Sequence, residues 1–295
     1  MTLARAWHEG VGIGDGPWLE DQPGLEIFAA LSQLLSGERV ELPRPSSDPA
    51  MAVLHAVVAV LDGLLAHAPR EVNVAVAGMG LALEYLDDEE PHATAARAWA
   101  DLALGEVAIA VADLRVARQR FEAIAALPDR PAALRVTAML RLAALAVERS
   151  DLASARSWTR KAASLADAER PIDHDRTQLA SGLLAYAAND LSAMRAALLA
   201  ISMESAQGRI AHLLLATTTR GAEALDLLAE TLREAVHARD PLTYALCVLL
   251  GARSYRAIGH GEDARVTLDA GIAQLANLAP HLANALIAER DGRSS

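Results

Sequence analysis

The sequence predicts an all-α protein: a right-handed α-solenoid of antiparallel helix pairs with about 13–14 helices. Three observations predict this fold class. The 295 residues are 53% hydrophobic but only 3% aromatic, so alanine and leucine, which are strong helix formers, must fill the core. Prolines recur about every 40 residues through most of the chain. Turn-forming residues divide each interval between these prolines into two helical segments.

Residues 1–48 are predicted to form an N-terminal segment with one helix, at about 22–36, and a proline-rich loop. The loop at 37–48 contains two prolines and a serine pair, which disfavour a helix. The stretch GVGIGDG (10–16) alternates glycine as phosphate loops do. It lacks their strand-to-helix context and their Gly-Lys-Ser/Thr ending, so we expect a turned segment rather than a binding loop.

Residues 49–295 are predicted to form a helical repeat array with a C-terminal capping helix. Proline is expected in the first turn of each first helix, where its missing N–H costs nothing. These prolines are Pro49, Pro91, Pro131, Pro171 and Pro241. Ser205 is the expected N-cap of the one first helix that has no proline. The predicted pairs are 49–90, 91–130, 131–170, 171–204, 205–240 and 241–279, followed by a closing helix at about 281–290.

Five of the six predicted pairs, all except 49–90, show a break between their two helices. Gly, Asn, Asp and Ser end one helix and cap the next, and they predict turns at Gly105–Glu106, Arg149–Asp151, Asn189–Asp190, Thr219–Gly221 and Gly259–Gly261. A small or flexible residue near the start of each second helix is expected to let its partner approach closely. These residues are Ala117, Ala155, Met194, Ala224 and Ala264.

Three stretches carry this pattern most clearly: GARSYRAIGHGEDARVTLDAGIAQL (251–275), DLALGEVAIAVADLRVARQRFEAIAALP (101–128) and LAALAVERSDLASARSWTRKAASLA (142–166). At these residues the chain resembles the tetratricopeptide repeat family, over about residues 91–279. The usual period of that family is about 34 residues, and most units here are longer. Pairing of the HEAT type therefore remains an alternative.

Composition and charge argue against several classes of function. The formal net charge is -11 and Lys161 is the only lysine, whereas nucleic-acid binding needs a dense basic face, so no nucleic-acid partner is expected. No run of about 18 uncharged apolar residues predicts a membrane span, and no apolar signal region precedes residue 20. The single cysteine, Cys247, is expected to be a small buried side chain in a reducing, cytoplasmic environment.

The sequence offers no clear catalytic, cofactor or metal site, so the protein is not expected to be an enzyme. The acidic runs DDEE (87–90) and DHD (173–175) lie beside Pro91 and Pro171, where carboxylates favour a helix N-terminus. None of the nine histidines has another at i+3 or i+4, so no helix offers a two-histidine metal site. No Gly-x-Ser-x-Gly nucleophile motif occurs.

The resemblance implies that the first helix of each pair lines a groove that receives a protein or peptide. Mapped onto this sequence, the partner-binding residues are Trp99, Glu106, Arg176, Leu183, Tyr186, Arg209, Arg253 and Arg256, with Leu102, Leu140, Leu179, Leu213 and Leu249 between them. Four arginines on this face could bind carboxylates of the partner, or could pair with acidic neighbours within the chain.

The expected function is thus a non-catalytic adaptor or scaffold that binds a protein or peptide partner with acidic groups. A regulatory helical-repeat protein that senses a ligand or peptide is the alternative, and an enzyme with an unrecognised site is a third. Self-association is left open, because an Ala/Leu-rich terminal repeat can leave apolar area uncovered.

Overall fold

The structure is a computed structural model that describes residues 25–35, 39–66, 68–90, 92–128, 130–166, 171–202 and 205–292. These residues form 14 α-helices and no strand, which confirms the all-helical class. The helices are α1 (Leu25–Leu35), α2 (Pro49–Leu65), α3 (Pro69–Glu84), α4 (Ala93–Ala110), α5 (Leu114–Ala126), α6 (Ala132–Glu148), α7 (Leu152–Leu165), α8 (Pro171–Ala187), α9 (Leu191–Leu199), α10 (Ala206–Thr218), α11 (Ala222–His237), α12 (Pro241–Ala257), α13 (Gly261–Leu275) and α14 (Pro280–Arg290).

The chain divides into two compact units, Met1–Ala188 and Asn189–Ser295. Unit 1 contains α1–α8 and unit 2 contains α9–α14. The division falls inside the predicted repeat 171–204, between its two helices. The sequence analysis instead separates 1–48 from 49–295. The stretch GVGIGDG (10–16) and Pro91 lie outside the described residues.

In unit 1, consecutive helices pack as hairpins, α2 with α3, α4 with α5, and α6 with α7. The first helices of successive hairpins also pack against each other, in the order α2, α4, α6, α8. Their buried side chains form one core cluster, which includes Phe28, Trp99 and Phe121. A bidentate hydrogen bond connects the segment before α2 to α2 itself. Arg39 donates to the buried carboxylate of Asp62 at 3.1 and 2.6 Å.

Unit 2 repeats the same packing. Helices α10 with α11 and α12 with α13 form hairpins, and the first helix α12 also packs against the first helices α10 and α14. Two smaller core clusters lie between them, one around Ala252 and Leu268 and the other around Leu213 and Cys247. Within each unit, first helices that pack against each other are therefore about one repeat apart in the sequence.

Most predicted helix starts are confirmed. Pro49, Pro241 and Pro280 lie in the first turn of their helices, and α8 begins at Pro171. The hydroxyl of Ser205 accepts a hydrogen bond from the backbone N–H of Gly208 at 3.0 Å, so Ser205 caps α10. Pro131 differs slightly, because it occupies the N-cap of α6 rather than its first turn.

Four of the five predicted turns are confirmed, and each of the four contains a residue with positive φ: Ser150, Asn189, Gly221 and Gly259. The turn predicted at Gly105–Glu106 is wrong. Gly105 lies inside α4, and the chain turns at Ala112, whose φ is 60°. A Cβ atom at Gly105 would lie 2.6 Å from Cε1 of Phe121 on α5. The glycine therefore serves the close approach of two helices and not a reversal of the chain.

The second helices share one buried register. The small or flexible residues predicted to face the partner helix are all at most 2% exposed: Ala117, Ala155, Met194, Ala224 and Ala264. Buried residues follow them four and seven positions on, as in Leu268 and Gly271 on α13. This i, i+4, i+7 spacing is the apolar stripe of an amphipathic helix.

Candidate partner-binding surface

Helix α12 carries an exposed stripe in unit 2. The stripe consists of Leu242, Leu246, Leu249, Arg253 and Arg256, which recur at intervals of three or four residues and so share one side of the helix. Leu249 is partly buried and packs against the core cluster around Ala252, whereas the other four are exposed. Leu242 and Leu246 are 38% and 37% exposed, and the side chains of Arg253 and Arg256 are 57% and 41% exposed. The stripe is therefore apolar at its N-terminal end and basic at its C-terminal end.

The two arginines of this stripe bind one carboxylate, and together they form the unit 2 cluster: Arg253, Arg256 and Glu289. Arg253 donates from Nη2 to Oε2 of Glu289 at 2.8 Å and from Nε to Oε1 at 3.3 Å. Arg256 donates from Nη1 to the same Oε1 at 2.7 Å. The hydrogen bond from Arg253 is the main cause that lowers the pKa of Glu289, which keeps this carboxylate ionised.

Unit 1 has a related group on its first helices, the unit 1 cluster: Glu106 on α4, Arg141 on α6 and Arg176 on α8. Nε of Arg141 donates to Oε1 of Glu106 at 2.5 Å, and the charge of Glu106 raises the pKa of Arg141. Nη1 of Arg176 donates to Oγ1 of Thr137 at 2.8 Å. Burial and the charge of Arg141 lower the pKa of Arg176 to about 10.

Sequence analysis predicts Glu106 and Arg176 of this cluster but misses Arg141. The spacing of the repeat could have identified Arg141, because Glu106 and Arg141 lie 35 residues apart, about one repeat. Arg253 and Glu289 are 36 apart for the same reason. On the same helix as Arg176, the predicted residues Leu179 and Leu183 are partly buried, and Tyr186, near the C-terminal end of α8, is 52% exposed.

Five of the residues mapped to the groove lie in the core instead of on an exposed face. Trp99 and Leu102 on α4 are 0% exposed, and Arg209 on α10 is 1% exposed. Leu140 and Leu213 are also buried. First helices pack against a hairpin partner and against the first helices on either side, so most of their circumference is covered. Arg209 donates from Nε to Oδ2 of Asp240 at 3.3 Å, which offsets the burial of its charge.

Other chemistry receives little support from the described residues. No group of three or more His, Cys, Asp or Glu side chains among them could hold a metal ion. Burial, with a smaller effect from Asp240, raises the pKa of the Cys247 thiol to about 12, so it is not a nucleophile at neutral pH. Within the same residues, no helix is long and apolar enough to cross a membrane.

Comparison of the chain with protein-family models, with curated protein sequences and with solved structures found no match.

Proposed function

We propose that the chain is a non-catalytic protein-interaction module, an adaptor or scaffold, that binds an acidic segment of a partner protein on the α12 stripe. One observation carries the proposal: two exposed arginines share a single carboxylate beside exposed leucines on the same helix face. Such a stripe offers charge and apolar area together, which are the two needs of a peptide-binding surface.

Charge balance favours an acidic ligand. The unit 2 cluster has two guanidinium groups and one carboxylate, so it has one surplus positive charge. A guanidinium has five N–H donors, and Glu289 accepts from Nε and Nη2 of Arg253 and from Nη1 of Arg256. Nη2 of Arg256 also donates to the backbone carbonyl of Glu289, at 3.4 Å. The donors outside these contacts are available to a ligand carboxylate, and Glu289 holds both side chains in place before the ligand arrives.

The leucines define the second part of the ligand. Leu246 and Arg253 are seven residues apart, which is about 10 Å along a helix. A partner segment that places an apolar side chain about 10 Å from a carboxylate therefore fits both ends of the stripe. Leu242 extends the apolar end by one further turn.

The proposal includes the finer architecture, a right-handed solenoid of the tetratricopeptide repeat type. Its support is the packing inside each unit, where first helices follow one another and each hairpin lies about one repeat along the chain from the next. In proteins of that architecture first helices line the binding face, and α12 is a first helix. A cytoplasmic location is part of the same proposal, because a lone, buried cysteine fits a reducing compartment.

The test is affinity capture from an extract of the host, with mass spectrometry of the proteins retained by the wild type and by Arg253→Ala/Arg256→Ala. Each charge-assisted hydrogen bond to a ligand is worth about 1.5–3 kcal/mol, so the double variant should bind the retained partner about tenfold more weakly or worse. Arg265→Ala is the matched control, because Arg265 is an exposed arginine of unit 2 that pairs with Glu262 on α13. It should retain the partner.

The variant Glu289→Gln tests whether the partner binds through a carboxylate. The variant removes the competing negative charge, while the amide oxygen of the new side chain can still accept hydrogen bonds that hold the guanidinium groups. A partner with a carboxylate should therefore bind more tightly to it. A partner that instead recognises Glu289 would bind more weakly. Unchanged binding by the double arginine variant, with helicity equal to the wild type, would refute the assignment of the α12 stripe.

A further inference from the structure

Arg176 lies on the last helix of unit 1, and its guanidinium group is partly buried without being bound to a carboxylate. Its Nη1 donates to Oγ1 of Thr137 at 2.8 Å, and Thr137 is only 1% exposed. Burial is the main cause that lowers the pKa of Arg176 to about 10, so the group is still charged at neutral pH. Among the described residues, no Asp or Glu side chain forms an ion pair with it.

The rest of this guanidinium is open to solvent. A guanidinium has five N–H donors, and the hydrogen bond to Thr137 uses one of them. Arg176 is partly exposed, and neither its Nε nor its Nη2 is among the buried nitrogen atoms of the described chain that lack a partner. These two nitrogens therefore contact solvent, and a ligand that approaches unit 1 can reach them.

Arg141 on α6, one repeat before Arg176, places a second guanidinium near the first. After burial, its charge is the strongest influence that lowers the pKa of Arg176. The side chain of Arg141 is 46% exposed, and its Nε donates to Oε1 of Glu106, which leaves its two terminal nitrogens for other contacts. Glu106 and Asp173 raise the pKa of Arg176, but each raises it by less than Arg141 lowers it. The repulsion between the two guanidinium groups is thus stronger than either carboxylate alone offsets.

Other arginines of the chain in buried or clustered positions bind an internal carboxylate. Arg209, which is 1% exposed, donates to Asp240 at 3.3 Å. The two arginines of the unit 2 cluster share Glu289. Buried charges are usually paired, because the desolvation of a lone charge is costly. Arg176 departs from this rule, and an anion from outside the chain would supply the missing counter-charge.

We propose that Arg141 and Arg176 form a phosphate-binding site in unit 1, in which one phosphate group accepts hydrogen bonds from both guanidinium groups. A phosphate monoester has a charge of about −1.5 to −2 at pH 7 and three acceptor oxygens, whereas a carboxylate has a single charge and two oxygens. A phosphate group can therefore bind two guanidinium groups at once. Glu106 and Thr137 are positioning residues, because each holds one of the arginines through a single hydrogen bond and leaves most of its donors for the ligand.

The side chains that follow Arg176 on α8 bear on the source of the phosphate group. Arg176, Leu179 and Leu183 recur at intervals of three or four residues, so they share one side of the helix, and both leucines are partly buried. A phosphate monoester with an apolar body can contact the arginines and these leucines together, whereas inorganic phosphate can contact the arginines alone. A comparison of inorganic phosphate with phenyl phosphate separates these two sources.

Isothermal titration calorimetry with inorganic phosphate tests the site, at an ionic strength that chloride holds constant. The full chain is titrated as the wild type and as Arg253→Ala/Arg256→Ala, which removes the arginines of the unit 2 cluster and leaves unit 1 unchanged. The binding that depends on Arg176 should be present in both chains. In each chain, Arg176→Gln should weaken phosphate binding about tenfold or more, because it removes charge-assisted hydrogen bonds. Arg141→Gln, at a more exposed position, should weaken it in the same direction.

Arg118→Gln is the matched control. Arg118 is an exposed arginine of unit 1 that pairs with Glu122 on α5, so the variant loses the same charge but should bind phosphate as its parent does. Thr137→Val should weaken phosphate binding and Thr137→Ser should restore it, since only a hydroxyl can accept the hydrogen bond from Arg176. Circular dichroism should show equal helicity for all of these variants.

Each result either supports the proposal or overturns it. Phosphate binding that is weakened in Arg176→Gln but not in Arg118→Gln supports it. Tighter binding of phenyl phosphate then identifies a phosphate monoester as the ligand, and equal affinity identifies inorganic phosphate. No phosphate binding by the wild type, or equal binding by Arg176→Gln with the helicity of its parent, overturns the site. Acetate that binds as tightly as phosphate overturns the choice of ligand. Phosphate binding that is lost in Arg253→Ala/Arg256→Ala overturns the placement in unit 1 without affecting the proposed function.

Discussion

At the scale of single residues, Gly105 shows how the absence of a side chain determines helix packing. A Cβ atom there would lie 2.6 and 2.8 Å from two ring carbons of Phe121, which is itself fully buried. We expect Gly105→Ala to lower the free energy of unfolding by about 1–3 kcal/mol, since the ring must shift within a packed core. Chemical denaturation followed by circular dichroism measures this change.

Gly80→Ala is the control for the helix propensity of alanine. Gly80 is also inside a helix, but an added Cβ atom would meet nothing within 4 Å. This variant should raise the free energy of unfolding by about 0.5–1 kcal/mol. If Gly105→Ala raises the free energy of unfolding by as much as Gly80→Ala does, the prediction of a tight contact between position 105 and Phe121 is wrong.

Individual residues also show why sequence analysis found only part of the candidate site. Glu106, Arg253 and Arg256 are predicted from the repeat pattern, and they lie in the two clusters. Trp99 and Arg209 have the same positions in that pattern but are buried. A periodic pattern identifies helix faces, but it does not show which side of a first helix its neighbours cover. That depends on contacts between residues about 35 positions apart.

At the scale of the secondary-structure elements, Asp240 links the start of α12 to its neighbour α10. Its carboxylate accepts from the backbone N–H of Thr243 at 3.0 Å, which caps α12, and from Nε of the buried Arg209 at 3.3 Å. Asp113 caps α5 in the same way, accepting from Val116 at 3.1 Å. We expect Asp113→Ala to lower the free energy of unfolding by about 1 kcal/mol, which is the value of an N-cap.

Asp240→Ala should cost more, about 2–4 kcal/mol, because it also removes a negative charge from beside a buried guanidinium. Urea denaturation of the single and double variants measures both effects. In an Arg209→Met background, Asp240→Ala should cost less than it does in the wild type. The cost that remains comes from the N-cap and from the hydroxyl of Thr243, which donates to Oδ2 of Asp240 at 2.6 Å. An equal cost of Asp240→Ala in both backgrounds would contradict a role for the ion pair.

Helix boundaries were largely predictable because their causes are local. A proline, an N-cap side chain or a residue with positive φ acts within one turn of its own position, as at Pro241, Ser205 and Gly259. The start of α3 at Pro69 was not predicted, because the repeat unit 49–90 lacks a clear internal turn signal.

At the scale of the whole molecule, the sequence predicts six helix pairs but not the division into two units. The pairs follow from the proline spacing. The division between α8 and α9 follows from which helices share a core, and it falls within the repeat 171–204, one of the units in which the repeat pattern is degenerate. The core cluster of unit 1 extends over α1–α8, whereas the clusters of unit 2 lie in α10–α14.

Separate cores predict separate unfolding transitions. All four tryptophans lie within Met1–Ala188, so tryptophan fluorescence reports on unit 1, while circular dichroism reports on both units. We expect denaturant titration to give one fluorescence transition and a biphasic loss of helicity. Gly105→Ala should shift the fluorescence midpoint to lower denaturant, because its contact with Phe121 lies in unit 1.

Gly271→Ala is the matched change in unit 2, where an added Cβ atom would lie 2.6 Å from Cγ1 of Val248 and 3.2 Å from Cδ1 of Leu286. The circular dichroism transition of unit 2 should move to lower denaturant, by an amount that corresponds to about 1–3 kcal/mol. The midpoint of the fluorescence transition, which reports on unit 1, should stay unchanged. Both probes shifting together in both variants would show that the 295 residues unfold as one cooperative body, and the two cores would then not be independent.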